Sequence, residues 1–286
     1  MRLSSHVEII PLISLCMITY NRGEQLYKTL QNLEDELSGL YNILVLNNAS
    51  NDNTMDILNQ KFADKQHYRI FDSQVNLGVA RGREYLWKAV NTKYIISLDD
   101  DILITKDTID RMIEKLENVN DVALVSPDIK DSISGKVINN MKEGFFQLPT
   151  FYEACFAIRK STVDQIGHFD SNLQVAGEGL DYALRLQKAD FSIYRTHNIS
   201  VIHVDRARER NESRNRRQQW LWSFSYVYWK NMNVFKAFIW TLRNLIAHAK
   251  TGFGRFGLFY VLTLPKFAIM GLYKGLINKK KMRGIK

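Results

Sequence analysis

The sequence predicts an α/β fold built on a mainly parallel sheet and followed by a helical C-terminal extension. Short apolar runs alternate with amphipathic helical patterns through the first 126 residues, as in strand–helix–strand units with right-handed crossovers. Beyond Glu209 the pattern becomes helical. The balance of charge changes near the same place, because residues 1–205 carry 21 Lys and Arg against 28 Asp and Glu, whereas residues 206–286 carry 18 against 2.

The first half predicts five strands and four helices. Each strand is a short apolar run bounded by polar turn residues, and each helix places its leucines or other apolar residues on one face. The predicted strands are Leu12–Ile18, Asn42–Leu46, Tyr68–Phe71, Tyr94–Leu98 and Val122–Val125. The predicted helices between them are Glu24–Leu37, Thr54–Phe62, Val79–Val90 and Thr108–Leu116.

The second half breaks this alternation. It predicts a hairpin turn at 134–136, a strand at Tyr152–Ile158, a helix at Leu180–Gln187 and a strand at Ile199–His203. Three helices are predicted after that, over 212–231, 233–249 and 254–278. No internal repeat or low-complexity stretch interrupts the chain.

Composition excludes several classes of protein. With 286 residues, 45% hydrophobic and 24% charged, the chain is long enough and apolar enough to bury a core, which excludes global disorder. Cys16 and Cys155 are the two cysteines, and without a C-x-x-C pair they predict neither a disulfide framework nor a zinc cluster. We therefore expect a reducing, cytoplasmic compartment.

Two apolar stretches bear on targeting. Ile9–Thr19 resembles a signal-peptide core, but no small-residue cleavage site follows, so we expect a buried first strand. The stretch 256–273 is interrupted by Pro265 and Lys266, so we expect it to lie on a membrane rather than cross it. Basic residues and four tryptophans in 206–286 predict contact with an anionic membrane surface, on the inner face of the cell membrane.

Polar clusters follow four of the predicted strands, at 19–22, 47–54, 72–78 and 99–101. Since ligands bind beyond the carboxyl ends of parallel strands, these clusters predict one shared site. Ser50 and Asp52 have an alternative interpretation as ordinary helix N-caps.

Three consecutive aspartates, Asp99, Asp100 and Asp101, close the fourth strand. Carboxylates this close repel one another unless a cation lies among them. Alternation along an extended segment would point Asp99 and Asp101 one way and Asp100 the other, giving an oxygen site suited to Mg²⁺ or Mn²⁺. A solvated acidic turn is the alternative interpretation.

Together these motifs resemble the family 2 glycosyltransferases, from Leu12 to about Asp205. The matching segments are Thr19-Tyr20-Asn21, the group Asn48, Ser50, Asp52 and Thr54, Asn76–Ala80 with Arg81, Asp99–Asp101, Cys155–Asp170 and Glu178–Arg185. The resemblance implies a GT-A fold and inverting transfer of a sugar from a UDP or dTDP donor to a hydroxyl of a lipid-linked or polysaccharide acceptor. It also implies a catalytic domain over 1–205, with the nucleotide-sugar part in 1–126 and the acceptor side in 127–205.

The resemblance assigns roles to individual residues. The implied donor-binding residues are Thr19, Tyr20, Asn21, Arg22, Asn48, Ser50, Asp52, Asn76, Gly78, Arg81, Asp99 and Asp100. The implied ligands of Mn²⁺ or Mg²⁺ are Asp99, Asp101 and His203. Tyr20 is suited to stacking on a base and Asn48 to hydrogen bonding with a pyrimidine edge. Arg81 either holds the diphosphate or is an ordinary solvent-facing arginine.

The sequence departs from the family pattern at two positions. Gly179 stands where the family usually has the aspartate that acts as general base, which makes Glu178 the nearest replacement and Asp181 the second candidate. Asp181 has an alternative interpretation as an ion-pair partner of Arg185, one helical turn away. Asn47 stands where the family often has Asp, which leaves open whether the base of the donor is uracil or thymine.

Two other functions compete with sugar transfer. One is a GT-A protein without activity that binds membranes or nucleic acid through its basic extension, although the acidic first 205 residues argue against nucleic acid. The other is nucleotidyl transfer. It would require a Gly-rich phosphate loop with Lys near the N-terminus, and the sequence has none. A homo-oligomer is a further expectation for the C-terminal helices if they do not contact a membrane.

Overall fold

The computed structural model describes residues 12–37, 41–138, 150–204 and 213–283, with backbone only at 196–198, 259 and 281–283. Residues 9–11 of the first apolar run and the predicted boundary at Asp205 lie outside these ranges.

One eight-stranded sheet forms the centre of the fold. The strands are β1 (Ile13–Thr19), β2 (Asn42–Asn47), β3 (Tyr68–Asp72), β4 (Tyr94–Asp99), β5 (Ile102–Leu103), β6 (Val122–Asp131), β7 (Cys155–Arg159) and β8 (Ser192–His203). Their order in the sheet is β3-β2-β1-β4-β7-β6-β8-β5. The first four strands are parallel, as predicted. β7 pairs antiparallel with both β4 and β6, so residues just before β7 lie at the edge where β4 ends.

Helices cover both faces of the sheet. They are α1 (Gly23–Leu37), α2 (Thr54–Lys61), α3 (Gly78–Lys88), α4 (Lys106–Asn118), α5 (Lys160–Ile166), α6 (Glu178–Lys188), α7 (Arg214–Asn231) and α8 (Val234–Arg283). The leucines of α1 pack on one face of the sheet. Trp87, Phe156, Phe169 and Tyr182 pack together on the other face.

Four elements differ from the sequence prediction. β5 and α5 were not predicted because they span only two and seven residues. β6 and β8 are longer than the predicted strands, and their pairing is irregular between Ser126 and Asp128. A β-bulge of this kind accommodates polar residues that interrupt an apolar strand pattern.

The C-terminal helices pack on one another and on α6. The two predicted helices 233–249 and 254–278 form the single element α8, which is broken at Gly257. A Cβ on Gly271 would lie 2.3 Å from the carbonyl oxygen of Trp222, and one on Gly275 would lie 2.6 Å from that of Tyr226. The backbones of α7 and α8 therefore approach closely at two successive turns. Aromatic residues of α7 also pack against Leu180 of α6.

A buried ion-pair network joins α7 to α6 and to the segment between α5 and α6. Lys230 is 5% exposed, and its Nζ lies 2.7 Å from Asp170 Oδ2 and 2.7 Å from Asp181 Oδ1. Asn231 donates a further hydrogen bond of 2.7 Å to Asp181 Oδ1. Lys230, which the sequence pattern placed among residues facing a headgroup layer, instead faces the protein interior.

Among the described residues, no helix is both long enough and apolar enough to span a bilayer.

Candidate functional site

A cleft of about 480 Å³ opens at the edge of the sheet where β1, β2 and β4 end. Ten residues predicted from sequence line it: Thr19, Tyr20, Arg22, Asn48, Asn76, Gly78, Asp99, Asp100, Asp101 and His203. The volume is within the range of small-molecule sites. The strand-end clusters therefore meet in one place, as parallel strands require.

The acidic triplet is held by two arginines and a threonine. Arg22 from the loop after β1 lies 3.0 Å from Asp100 Oδ1 and 2.7 Å from Asp101 Oδ2. Thr19 donates a 2.7 Å hydrogen bond to Asp100 Oδ2. Arg83 of α3 lies 3.2 Å from Asp99 Oδ1. Guanidinium groups thus supply the positive charge that three neighbouring carboxylates need.

The predicted alternation of the triplet is wrong. Asp100 and Asp101 both contact Arg22, whereas Asp99 contacts Arg83. The reason is that Asp100 and Asp101 form a turn between β4 and β5, so the two-residue period of an extended strand ends at Asp99.

Asp100 is almost completely buried, with 6% of its side chain exposed. Burial, with smaller contributions from the neighbouring Asp101 and Asp99, raises the pKa of Asp100 to about 7 against the opposing effects of Arg22 and Thr19. Burial is thus the largest cause of the shift at Asp100, and the contacts with Arg22 and Thr19 reduce it.

The fit of the residues to a divalent metal is uneven. Asp101 Oδ1 and His203 Nε2 lie 3.6 Å apart, and carboxylate oxygen with imidazole nitrogen is a suitable donor pair for Mn²⁺. Asp99, the third predicted ligand, is directed to Arg83. In the parts of the chain that the structure describes, no three acidic, histidine or cysteine side chains converge as a ready metal cluster. Two of the three predicted ligands are thus placed together.

Asn48 connects two of the loops at the cleft. Its Nδ2 donates a 3.1 Å hydrogen bond to Asn76 Oδ1, and its Oδ1 accepts a 2.8 Å hydrogen bond from the backbone N–H of Leu77. Asn47 is turned away and donates to Asp72 Oδ1 at 2.8 Å. Asn48 therefore fixes the start of α3 at the rim of the cleft.

Four predicted donor-binding residues do not line the cleft: Asn21, Ser50, Asp52 and Arg81. The backbone N–H of Asn21 donates to Ser50 Oγ at 2.9 Å, which ties the loops after β1 and β2 together. Asp52 accepts from the backbone N–H of Thr54 at 3.1 Å, at the first turn of α2. The N-cap of α2 is Asn53 rather than Asp52, so the helix-cap interpretation of Asp52 is wrong, and Arg81 is exposed on α3.

Arg83 and Arg216 line the cleft and were missed by the sequence analysis. Arg83 is 4% exposed and also donates a 2.8 Å hydrogen bond to the carbonyl of Glu153. A signal for it existed, because Arg83 falls on the same helical face as the buried Ala80 and Trp87, where a charge requires a partner. Arg216 comes from the first turn of α7, beyond the region of family resemblance.

Glu178, the first candidate for a general base, is the first residue of α6 and is 8% exposed. Its Oε2 has no hydrogen-bond partner among the described residues. Glu153, which the sequence analysis missed, accepts a 2.9 Å hydrogen bond from the backbone N–H of Gly179. Burial, together with the charge of Glu178, raises the pKa of Glu153 to about 8, although Arg83 opposes the shift.

Asp181, the second candidate base, is completely buried. Its Oδ2 accepts a 3.0 Å hydrogen bond from Arg185 Nε, which confirms the predicted ion pair, and its Oδ1 contacts Lys230 and Asn231. Asp181 does not line the cleft. The structure thus places it between helices, in the network that holds α7.

Solved structures with the same architecture identify the class of fold. The crystal structure of S. aureus TarS residues 1–349 aligns with a TM-score of 0.64, 14% identity and coverage of 96% of this chain and 92% of that one. The mannosyltransferase PcManGT from Pyrobaculum calidifontis, in complex with GDP-Man and Mn²⁺, aligns with a TM-score of 0.60, 14% identity and coverage of 94% and 88%. The fold is that of the GT-A glycosyltransferases, as the resemblance implied.

Sequence comparison identifies the family. Residues 14–174 match the family described as Glycosyl transferase family 2, and the chain belongs to that family. A curated relative is the poly-beta-1,6-N-acetyl-D-glucosamine synthase of Staphylococcus epidermidis, 24% identical over 189 residues, which covers 61% of this chain and 46% of the relative. The chain spans about half the length of the curated relatives it matches.

Proposed function

We propose that this protein is an inverting glycosyltransferase that moves a sugar from a UDP or dTDP donor to a hydroxyl group of a lipid-linked or polysaccharide acceptor. The observation that carries the proposal is the convergence of three arginines and three aspartates on one cleft at the carboxyl edge of the sheet. Guanidinium groups bind phosphate oxygens in a two-pronged geometry. The name of the curated relatives, a polysaccharide synthase, supports a glycan acceptor.

The donor is bound between the loops that follow β1, β2 and β4. Tyr20 is 44% exposed at the cleft, which leaves its ring available to stack on a base. Asn48 and Asn76 shape the same end of the cleft. Arg22, Arg83 and Arg216 provide the positive charge for the diphosphate.

Asp101 and His203 would hold a divalent cation, with Asp99 joining them if it leaves Arg83. Bound there, Mn²⁺ or Mg²⁺ would neutralise the charge that develops on the departing diphosphate. Arg22 already contacts Asp101 and so keeps part of this positive charge in place beside the phosphates.

The transfer needs a carboxylate that takes the proton of the acceptor hydroxyl as its oxygen attacks the sugar. Glu178, the first residue of α6, is the candidate that the sequence provides, although it is not among the residues that line the cleft. Asp181 is less suited, because Arg185, Lys230 and Asn231 already occupy it.

A nucleotide-sugar panel tests the proposed function. UDP-glucose, UDP-galactose, UDP-N-acetylglucosamine and dTDP-rhamnose are added with Mn²⁺ or with EDTA, and melting temperature and release of nucleoside diphosphate are measured. We expect at least one donor to stabilise the protein and to be hydrolysed or transferred only with the metal. Absence of both effects for every donor would refute the proposal.

The C-terminal helices are proposed to place the enzyme on the cytoplasmic face of an anionic membrane. In α8 the exposed apolar residues Phe235, Phe238, Leu242 and Ile246 form a stripe at three- and four-residue spacing. The exposed basic residues Lys236, Arg243 and Lys250 follow beside it at seven-residue spacing. A helix of this kind buries its apolar face among lipid headgroups while its basic residues contact anionic lipid.

Sedimentation with liposomes tests this placement. The variant Phe235→Ser/Phe238→Ser should lose most binding to vesicles of phosphatidylcholine and phosphatidylglycerol, because it removes apolar area from the stripe. Ile133→Ser is a matched control, since Ile133 is 86% exposed but lies in the turn after β6. If the wild type does not sediment with these vesicles, the membrane proposal fails. Binding to duplex DNA instead would favour a nucleic-acid partner, and concentration-dependent self-association would favour an oligomer.

A further inference from the structure

Two acidic side chains lie together beyond the end of β4, and the predicted base accounts for only one of them. Glu153 comes two residues before β7, and Glu178 begins α6. The backbone N–H of Asp99 donates to the carbonyl of Ala154 at 2.9 Å, and Arg83 bridges the carbonyl of Glu153 and Asp99 Oδ1. Glu153 is thus attached directly to the residues that close the donor cleft.

The carboxyl group of Glu153 fills the space into which a side chain at position 179 would project. A Cβ on Gly179 would lie 1.9 Å from Glu153 Oε1, 2.6 Å from its Cδ and 2.7 Å from its Cγ. No side chain at position 179 is compatible with Glu153 in this position. The two positions therefore compete for one volume, and in this protein the carboxylate that fills it comes from residue 153.

The surroundings of the two carboxylates differ in a way that suits different roles. Glu178 is 8% exposed, and its Oε2 is buried without a hydrogen-bond partner among the described residues. A buried oxygen of this kind is costly, and within the part of the chain that the structure describes Glu178 has no hydrogen bond at that oxygen to orient it. Glu153 is less buried than Glu178, and the N–H of Gly179 orients one of its oxygens. Neither carboxylate is among the residues that line the donor cleft, and of the two Glu153 is the more exposed and the one that a hydrogen bond orients.

We propose that Glu153 is a catalytic carboxylate that receives the proton of the acceptor hydroxyl, with Glu178 as the negative charge beside it. The proposal rests on the proposed glycosyltransferase function. In the step, the acceptor O–H proton moves to Glu153 while the acceptor oxygen forms a bond to the anomeric carbon. The bond from that carbon to the diphosphate oxygen breaks, and its electron pair leaves with the nucleoside diphosphate.

The first test compares amide variants. Glu153→Gln keeps the size of the side chain and an oxygen that accepts from Gly179, but it no longer accepts a proton readily. We expect release of nucleoside diphosphate, with Mn²⁺, a donor from the panel above and water as acceptor, to fall about 100-fold or more. Thermal stabilisation by the donor should stay unchanged. Glu178→Gln should cost less than Glu153→Gln, and Glu117→Gln, in an exposed ion pair on α4, should have no effect.

The second test moves the carboxylate across the shared volume. Glu153→Ala should be inactive, and Gly179→Asp alone should be impaired because its Cβ overlaps Glu153. The double variant Glu153→Ala/Gly179→Asp should recover at least about tenfold over Glu153→Ala, since the new carboxylate enters the vacated space. If Glu153 only supported α6, an aspartate at position 179 on the helix itself would not restore activity.

The outcomes separate this proposal from the proposed function. Glu153→Gln with activity within about threefold of wild type would overturn the assignment of Glu153. A loss of donor binding as large as the loss of activity would overturn it as well. A double variant that melts like the wild type but stays as inactive as Glu153→Ala would overturn it too. A wild type that neither binds nor hydrolyses any nucleotide sugar would refute the proposed function itself, and this proposal with it.

Discussion

Replacing Lys230 by methionine is expected to destabilise the protein strongly. The substitution keeps the length of the side chain and removes an ammonium group that contacts two acidic residues at 2.7 Å each. Asp181 is completely buried and Asp170 has 11% of its side chain exposed, so water replaces little of the lost interaction. Removing one partner of a buried pair leaves an uncompensated charge.

The magnitude follows from the bonds that remain. Asp170 keeps Tyr226 and the N–H of Asn172, and Asp181 keeps Arg185 and Asn231. Each carboxylate therefore loses one charge-assisted hydrogen bond worth about 1.5–3 kcal/mol, and the total agrees with the roughly 3–5 kcal/mol found for breaking buried ion pairs.

Urea unfolding followed by tryptophan fluorescence measures the effect, since Trp222 and Trp229 lie on the same helix as Lys230. Lys88→Met is the matched control. Lys88 is 62% exposed and pairs with Glu84 one turn away, so its loss should change the free energy of unfolding by at most about 0.5 kcal/mol. A loss below about 1 kcal/mol for Lys230→Met would show that the network does not hold α7 to the rest of the protein.

Three further predictions follow from the same structure. The Lys230 ammonium and the hydrogen bonds to Asp170 hold the pKa of Asp170 below its usual range, although burial opposes this. The resulting stabilisation of the folded state is complete above the unfolded pKa of about 3.9 and is lost as pH falls below that value. The free energy of unfolding should therefore fall less steeply with decreasing pH for Lys230→Met than for wild type. Asp101→Ala should abolish sugar transfer with an unchanged circular dichroism spectrum, and Asp99→Ala should cost less because Asp99 is directed to Arg83; transfer by Asp101→Ala at the wild-type rate in EDTA would contradict the metal assignment. Gly271→Ala should lower the free energy of unfolding by about 1–3 kcal/mol through contact with the α7 backbone. Gly254→Ala, at a position with open space around it, should raise it by about 0.5–1 kcal/mol. Equal melting temperatures for the two variants would be inconsistent with the close packing of α7 and α8.

The parallel half of the sheet and the site at its edge were predictable because both depend on local patterns. Apolar runs of strand length and the polar residues after them place Thr19, Asn48 and Asp101 without knowledge of the tertiary structure. The direction of Asp100 was not predictable in this way, because a turn after β4 ends the two-residue period.

Contacts between distant segments explain the other misses. Glu153 lies beside Asp99 only because β7 runs antiparallel to β4, and its hydrogen bond with Gly179 joins positions 26 residues apart. Lys230 resembles any other basic residue of the C-terminal segment until Asp170 and Asp181 are seen around it. Periodicity reports which face of an element is buried, but it does not report which partner lies there.

The position of α7 has a consequence for exchanging parts between related enzymes. One end of this helix carries Arg216 in the cleft, and the other carries Lys230, about 21 Å along the axis at 1.5 Å per residue. A chimera that received its C-terminal helices from a relative would inherit a new cleft arginine together with a new lysine position. Such a graft would keep the buried ion-pair network only if the new helix placed a lysine where Lys230 contacts Asp170 and Asp181.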